Sequence, residues 1–152
     1  MQEYANGGSL QTLLDKKKIF PEREAKKILK QIVSGFRHLY ANQVIHRDLK
    51  LDNLLIHFPN RDNLTPFNAH EIDLTKEPFE VKIADFGYSR ELNRGEKSGS
   101  WYGSPLLMAP ESLFSLGYDH KVDVWALGII YFQLITGFFC FAASDIKDLA
   151  RK

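Results

Sequence analysis

Three short motifs in a set order constrain the fold of this chain more than any other feature of its sequence. They are HRDLKLDN at residues 46–53, DFG at residues 85–87 and APE at residues 109–111. Taken alone, DFG is usually a turn and HRD is usually a surface cluster. Five specified residues of the first motif, however, arise by chance in a chain of this length with odds on the order of one in ten thousand or less. The three motifs together therefore indicate one assembled site.

The side chains of these motifs form a set that is suited to phosphate chemistry. Asp48 supplies a carboxylate that can accept the proton of a hydroxyl, and Lys50 can neutralise charge on a moving phosphoryl group. Asn53 and Asp85 supply the neutral and anionic oxygens that magnesium prefers. Phosphoryl transfer from ATP to a hydroxyl needs this combination of proton acceptor, phosphate contact and metal ligands.

Composition excludes several other classes of protein. The 152 residues suffice for one domain with a real core, and the formal net charge of +1 gives no reason to expect binding to nucleic acid. The single cysteine, Cys140, excludes a disulfide framework and favours a reducing compartment, so we expect a cytoplasmic protein. Residues 1–6 lack the build of a signal peptide. The most apolar run, at 122–141, contains Asp123 and Gln133 and is interpreted as a buried helix, not a membrane span.

Hydrophobic periodicity predicts the main helices. Ser9 could cap a short helix that continues through Asp15. Pro21 opens the clearest helix, in which apolar residues recur on one face and basic residues lie opposite. Residues 122–136 are apolar on nearly every side, which is typical of a helix at the centre of its domain, and Gly137 follows where a C-terminal cap belongs. The apolar face after Pro21 contains Ala25, Ile28, Leu29, Ile32, Phe36, Leu39 and Tyr40.

Short strands and long loops separate these helices. Alternating side chains predict strands at 54–56 and 81–83. Residues 57–78 contain three prolines and few apolar residues, so we expect a long exposed loop there. A tolerated insertion explains such a loop most simply, and a docking surface is the alternative. Residues 91–102 have no period and also predict a loop, and the lysine run at 16–18 is interpreted as solvated surface.

The motifs and their order carry a resemblance to the protein kinase catalytic domain. The whole chain, residues 1–152, resembles the C-terminal lobe of such a domain from the hinge onward, with a long inserted loop at about 57–78. The resemblance implies an α+β, protein kinase-like fold, in which a mainly α-helical lobe carries short β-strands around the catalytic loop and the N-terminal lobe is absent. It also implies ATP and Mg²⁺ as cofactors and a protein as the substrate.

The same resemblance implies roles for individual residues. Asp48 matches the catalytic base, and Lys50 matches the phosphate contact. Asn53 and Asp85 match the magnesium ligands. Asp123 matches a residue of the central helix on which the catalytic loop is anchored.

The first residues of the chain resemble the hinge and the helix that follows it. By this resemblance Gln2 stands at the gatekeeper position, and the backbone of Glu3 and Ala5 would meet the adenine of ATP. Ser9 would lie near the ribose, and Leu55 would form the floor of the adenine pocket.

Residues 103–111 resemble the loop that positions the substrate, together with its closing motif. Lys50 follows the catalytic Asp at the spacing of serine/threonine kinases, and Ser104 matches the residue that pairs with both in that class. The sequence of the hinge-like and HRDLKLDN segments is most similar to that of Unc-51-like or calcium/calmodulin-dependent kinases. The chain lacks the usual arginine partner of Glu111, and a carboxylate buried there without a partner would be destabilising.

The resemblance also suggests activation by an upstream kinase. Arg47 precedes the catalytic Asp, as in kinases that are switched on by phosphorylation of the activation loop. Ser100 stands at the usual position of the phosphate, and Ser98 is a second candidate. A phosphate there could pair with Arg47 and order the loop. An unmodified flexible loop is the alternative.

The sequence departs from a whole kinase domain in one major respect. It contains no glycine-rich loop and no upstream strand lysine to hold the phosphates, so we expect these 152 residues alone to be poorly stable and inactive, or nearly so. Three hypotheses follow: part of an active serine/threonine kinase, a non-catalytic kinase-like binding or decoy module, and an unstable remnant. The intact set of catalytic side chains favours the first.

Overall fold

A computed structural model of the chain describes residues 3–93, 95–99, 103–114 and 116–151. These residues form a mainly helical body with a few short strands, in agreement with the predicted mixture of elements. The helices are α1 (Leu10–Lys17), α2 (Glu22–Ala41), α3 (Pro110–Leu113), α4 (Lys121–Thr136) and α5 (Ile146–Leu149).

The strands form two small antiparallel ladders around the motifs. Strand β1 (Val44–Ile45) pairs with β4 (Arg90–Glu91). Strand β2 (Leu54–His57) pairs with β3 (Glu80–Ile83), as the alternating pattern predicts. The HRDLKLDN motif runs from β1 to β2 and the DFG motif runs from β3 to β4, so the ladders bring the two motifs side by side.

Local sequence signals explain where α1 and α2 begin. The Ser9 hydroxyl accepts a hydrogen bond from the backbone N–H of Thr12 at 3.2 Å, which is the expected cap, and α1 ends two residues later than predicted. Helix α2 begins directly after Pro21 and buries most of its predicted apolar face. Tyr40 is an exception, because it remains half exposed.

Helix α4 packs against α2 and ends at Gly137, whose φ of 79° is the left-handed conformation expected of a C-terminal cap. Ile130 and Leu134 are fully buried, whereas Val124 and Trp125 remain partly exposed. The described residues therefore leave one apolar side of α4 uncovered. None of the described helices is both long enough and apolar enough to cross a membrane.

The segment 57–78 differs from the exposed loop that its composition predicted. Phe58, Ala69 and Leu74 are fully buried in the main core, and residues Ala69–Glu71 form a turn of 3₁₀ helix. These three side chains, together with the partly buried Leu64 and Ile72, pack the segment into the main core, although its remaining residues are mostly polar.

The lysines of α1 and α2 also hold this segment, so the prediction that the run at 16–18 is merely solvated is wrong for two of its members. Lys16 donates to the carbonyl of Phe67 at 2.7 Å, and Lys17 donates to the carbonyl of Ile72 at 3.1 Å. Lys27 donates in the same way to the carbonyl of Thr75 at 2.6 Å. These ammonium groups donate hydrogen bonds to backbone carbonyls that accept none within a strand or helix.

Candidate active site

The Asp48 carboxylate is the centre of the site and is 4 % exposed. The Lys50 ammonium lies 2.8 Å from Oδ2, and Asn53 donates to the same oxygen at 3.2 Å. The Ser104 hydroxyl donates to Oδ1 at 3.4 Å, from a loop that lies 56 positions away in the sequence. The structure thus brings together the predicted base, phosphate contact, one predicted metal ligand and the predicted specificity residue.

These contacts fix the orientation of the carboxylate and the charge of Lys50. The hydrogen bond with Asp48 raises the pKa of Lys50, burial opposes the shift, and Asp52 and Asp85 reinforce it. Lys50 is therefore a cation at neutral pH. A buried carboxylate that is hydrogen-bonded in this way is held in one orientation, which a positioned proton acceptor requires.

Asn53 is oriented as a metal ligand would be. Its Nδ2 donates to the Asp48 carboxylate and also to the Asp48 carbonyl at 2.9 Å, so its amide nitrogen is fully used. Its Oδ1 accepts no hydrogen bond from the residues that the structure describes. A neutral oxygen that is held with its lone pairs unused fits a hard cation such as Mg²⁺.

Asp85 lies next to Asn53 through the backbone. The N–H of Ala84 donates to the carbonyl of Asn53 at 2.8 Å, and Asp85 itself has a φ of 62°, in the left-handed region. Its Oδ1 accepts from the backbone N–H of Gly87 at 3.2 Å, while the side chain as a whole is exposed. The two predicted metal ligands therefore lie on neighbouring segments, and the oxygens of both side chains suit Mg²⁺. No larger cluster of His, Cys, Asp and Glu side chains occurs in the described part of the chain.

Helix α4 anchors the start of the HRDLKLDN motif through Asp123. Asp123 is buried, and its two oxygens accept backbone hydrogen bonds from His46 at 2.8 Å and from Arg47 at 2.9 Å. Burial raises the pKa of Asp123, and the two backbone hydrogen bonds oppose that shift. Arg47 has a left-handed φ of 69°, a conformation that a non-glycine residue holds only when its surroundings enforce it.

The hinge-like residues run along β2. Gly7 donates to the carbonyl of Ile56 at 3.0 Å, and Ser9 forms an isolated bridge with Leu55, which is half-buried. The carbonyl of Ala5 accepts from Gly8 at 3.2 Å.

The acidic side chain of Glu3 is held next to the same sheet. It pairs with Lys82 of β3 at 2.9 Å. Ser9 therefore lies beside β2 and Glu3 beside β3, with Leu55 in β2 itself. The contacts of Glu3, Ala5, Ser9 and Leu55 with adenine and ribose stay predictions. Gln2, the predicted gatekeeper, lies outside the described residues.

The loop at 91–102 has more structure than its composition predicted. Ser98 is 1 % exposed and exchanges two backbone hydrogen bonds with Tyr118, at 2.8 and 2.9 Å. Arg47 donates to the Ser98 hydroxyl at 3.4 Å and to the carbonyl of Tyr88 at 2.5 Å. Ser98 is therefore closed to an upstream kinase in this conformation. Ser100 lies outside the described residues.

Glu111 does not match the expectation of a buried carboxylate without a partner. It belongs to α3 and is only partly buried, so water can solvate its charge. It forms no ion pair with any residue in the described ranges. Solvation removes most of the penalty that full burial would impose.

Two buried polar side chains were not predicted as parts of the structure around the site. Glu24 of α2 accepts the backbone N–H of Leu74 at 3.1 Å, and Gln133 of α4 donates to Gln11 of α1 at 3.4 Å. Gln133 had a visible signal, because it is a polar residue in an otherwise apolar helix. Glu24 had none, since an acidic residue in a first helical turn is ordinary.

Comparison with known proteins places these features in one family. The family model described as protein kinase domain matches residues 1–152. The human serine/threonine-protein kinase ULK1 is 37% identical over 149 residues, which are 98% of this chain and 13% of that protein. Serine/threonine-protein kinase ATG1c of Arabidopsis thaliana is 40% identical over 135 residues, covering 89% of this chain and 16% of its own length.

A third relative gives the same result. Serine/threonine-protein kinase unc-51 of Caenorhabditis elegans is 36% identical over 149 residues, covering 98% of this chain and 16% of that protein. The chain therefore spans less than a fifth of the length of these three relatives.

Proposed function

Because the chain belongs to the protein kinase domain family, we propose that it carries the catalytic groups of a serine/threonine kinase. The reaction transfers the γ-phosphate of ATP to a Ser or Thr hydroxyl of a protein substrate. The observation that supports this proposal best is the buried Asp48 carboxylate, which Lys50, Asn53 and Ser104 contact together. The resemblance to relatives named as serine/threonine kinases supports the same specificity.

Asp48 orients the substrate hydroxyl and accepts its proton. The transition state of phosphoryl transfer is loose, so a carboxylate suffices and correct placement matters more than base strength. Lys50 stays protonated beside Asp48 and stabilises the charge on the transferred phosphoryl group. Ser104 holds the far oxygen of the same carboxylate, which keeps the acceptor lone pair directed at the hydroxyl.

Asn53 and Asp85 are the residues that would hold Mg²⁺ at this site. When bound, the ion neutralises the phosphate oxygens and aligns them with the acceptor. The backbone of Glu3 and Ala5 would contact adenine, with Ser9 near the ribose. These assignments rest on the family resemblance and are supported by the positions of Ser9 and Glu3 next to the β2–β3 ladder.

Regulation by an upstream kinase belongs to the same proposal. Ser100 is the proposed phosphosite, and Arg47 is the proposed partner of the phosphate. Arg47 already donates hydrogen bonds to Ser98 and Tyr88 of the proposed activation loop. Within the family we place the chain nearest to the Unc-51-like kinases, in keeping with the names of its relatives. A cytoplasmic location is proposed from the composition alone.

We further propose that the 152 residues turn over ATP only together with a segment that covers the phosphates of ATP. The sequence contains no glycine-rich loop, and in kinases such a loop shields the β- and γ-phosphates. The 152 residues alone are therefore expected to be inactive. A non-catalytic binding or decoy role is the alternative that the same observation favours.

The test uses the full-length polypeptide encoded by the native transcript around Met1. Transfer of labelled γ-phosphate to a Ser-containing peptide is expected, and Asp48→Asn should reduce it by about 10²–10⁴-fold, since the proton acceptor is lost. Asp62→Asn makes the same chemical change on the exposed part of the 57–78 segment and should leave transfer unchanged. Equal rates for wild type and Asp48→Asn would contradict the proposal. A complete lack of transfer, together with retained peptide binding, would favour the decoy role.

A further inference from the structure

The side chain of Asn6 joins the hinge-like start of the chain to the 57–78 segment. Asn6 is 6 % exposed. Its Nδ2 donates to the carbonyl of Phe58 at 3.0 Å and to the carbonyl of Arg61 at 2.9 Å, and its Oδ1 accepts from the backbone N–H of Phe58 at 2.8 Å. Both amide hydrogens and the amide oxygen therefore have partners in the segment, which fixes the orientation of this side chain.

These partners are the two ends of a turn. The backbone N–H of Arg61 donates to the carbonyl of Phe58 at 3.2 Å. Pro59 occupies the second position of the turn, where its restricted φ is favoured. The local sequence thus sets the shape of the turn at 58–61, and Asn6 binds a surface of fixed geometry.

Backbone contacts continue the same interface toward β2. The N–H of Ile56 donates to the carbonyl of Gly8 at 2.8 Å, next to the bond from Gly7 to Ile56. A Cβ built on Gly8 would lie 2.8 Å from the Cβ of Pro66, so the proline ring packs directly on this backbone. Because packed groups transmit displacements, a movement of the 57–78 segment would move residues 6–8 as well.

The backbone groups predicted to meet adenine lie just before Asn6. The N–H of Ala5 and the carbonyl of Glu3 form no hydrogen bond with any residue in the described ranges. One free donor and one free acceptor suit adenine, which presents a ring nitrogen that accepts beside an amino group that donates. Asn6 follows Ala5 by one planar peptide unit, so the contacts of Asn6 restrict where the Ala5 N–H points.

We propose that Asn6 is a positioning residue for ATP and that, through it, the turn at 58–61 supports the nucleotide site. Asn6 holds the backbone of Ala5 in place and touches no reacting group. The inference rests on the proposed kinase function and adds a determinant of ATP affinity that lies outside the three motifs. Coupling between two sites is reciprocal, so bound ATP should in turn stabilise the contact between Asn6 and the turn.

The first experiment compares the full-length native polypeptide with its Asn6→Ala variant. ATP that carries an N-methylanthraniloyl group on its ribose reports the dissociation constant by fluorescence, and phosphorylation of a Ser-containing peptide at varied ATP concentration gives KM and kcat. Asn6→Ala should raise the dissociation constant and the KM for ATP by about tenfold, the scale of one or two lost hydrogen bonds. It should leave kcat at saturating ATP within about twofold of the wild type.

The split between KM and kcat distinguishes positioning from a general loss of folded protein. A smaller folded fraction would lower the apparent kcat and leave KM for ATP unchanged. Asn63→Ala is the matched control, because it makes the same truncation at an exposed position of the segment outside the turn, and it should change neither constant. Equal dissociation constants for wild type and a folded Asn6→Ala protein would overturn the proposal.

A measurement on the wild type decides the question if Asn6→Ala fails to fold. Saturating MgATP should slow hydrogen exchange of the Phe58 amide, which donates to Asn6, by at least about fivefold. Magnesium tripolyphosphate carries the phosphates without adenine and should leave that exchange unaltered. Exchange at Phe58 that ATP does not change, or that tripolyphosphate slows equally, would contradict the role of Asn6.

Direct binding and phosphorylation separate this inference from the proposed function. Phosphorylation with a normal KM for ATP in Asn6→Ala contradicts only the role of Asn6. ATP binding that depends on Asn6, without phosphorylation, supports that role and contradicts the kinase activity. A wild type that binds no ATP overturns both.

Discussion

The carboxylate of Asp123 accepts a hydrogen bond from the backbone N–H of Arg47 at 2.9 Å, across 76 positions of the sequence. Its second oxygen accepts from His46 at 2.8 Å, and the side chain is 1 % exposed. Helix α4 therefore holds the backbone of the HRDLKLDN motif at a point that water cannot reach. The geometry of Asp48 depends on this anchor, because Asp48 follows Arg47 directly.

Replacing this anchor should destabilise the fold. In Asp123→Asn one backbone N–H faces an amide donor instead of an oxygen, so the free energy of unfolding should fall by about 1–3 kcal/mol, the penalty for a buried donor left unpaired. Urea unfolding followed by circular dichroism measures the change. Asp62→Asn, at an exposed position, is the matched control and should leave the midpoint in place. Equal midpoints for the two variants would show that Asp123 anchors nothing.

Gly103 should tolerate no side chain. Its φ is 103°, and a Cβ added there would lie 2.5 Å from the carbonyl oxygen of Arg47. Gly103→Ala should therefore cost more than the about 1–3 kcal/mol of backbone strain alone, and it should displace Ser104 from Asp48. Gly99→Ala is the control, since its Cβ would meet nothing within 4 Å. Urea midpoints of both variants test the difference, and a Gly103→Ala protein as stable as Gly99→Ala would contradict it.

Glu24 should hold the 57–78 segment. Its side chain is 5 % exposed and contacts Lys17 at 2.8 Å as well as the backbone of Leu74. Glu24→Gln leaves a mostly buried ammonium without its counter-charge, which should lower the free energy of unfolding by about 3 kcal/mol. Hydrogen exchange across residues 57–78 should quicken at the same time.

Glu22→Gln supplies the comparison for Glu24. Glu22 pairs with Lys26 on the exposed side of α2, where both side chains are more than 60 % exposed, at 67% and 64%. Water screens that pair, so its loss should leave the exchange of residues 57–78 unaltered. Similar exchange in the two variants would show that the segment does not depend on Glu24.

Asp73 should titrate far below an ordinary aspartate. The Thr75 hydroxyl donates to it at 2.6 Å and the Thr75 backbone at 2.9 Å, with Lys76 adding a smaller contribution. These contacts lower the pKa of Asp73 from 3.8 to about 2. The ionised form is therefore favoured in the folded state, and its contribution to stability is present above pH 3.8 and is lost as the pH falls through about 2.

Thr75→Val provides the test of this assignment. It removes the hydroxyl, the largest cause of the shift, and should raise the pKa of Asp73 toward 3.8, while Lys76→Gln should raise it less. Carboxyl chemical shifts followed by NMR against pH report the value directly. An Asp73 that titrates near 3.8 in the wild type would contradict the hydrogen bonds at Thr75.

Patterns that act over a few residues predicted much of the fold and of the site. The cap at Ser9, the periodic face of α2, the β2–β3 alternation and the Gly137 cap were all predicted within two residues. Such signals are readable because helix and strand periods depend only on neighbours along the chain. The closeness of Asp48, Lys50 and Asn53 follows from the same short spacing.

Contacts across long separations could not be predicted in this way. Composition suggested an exposed loop at 57–78, yet Leu74 is fully buried and its N–H meets Glu24, 50 positions earlier. A few apolar side chains and ammonium groups can hold a polar segment in place. The average composition of the segment does not reveal these few contacts. The burial of Ser98 likewise depends on Tyr118, which no local pattern indicated.

The sequence by itself determined the family, because the three motifs are short and their order and spacing can be read without coordinates. Tertiary structure alone decided how the side chains of the motifs are held and what surrounds them: Asp123 beneath the loop, Ser104 on the far oxygen of Asp48, and Gln133 beside Gln11, 122 positions away. The reason is physical. A hydrogen bond between distant residues forms only after packing of the whole chain has brought both partners together and removed the water that would otherwise satisfy them.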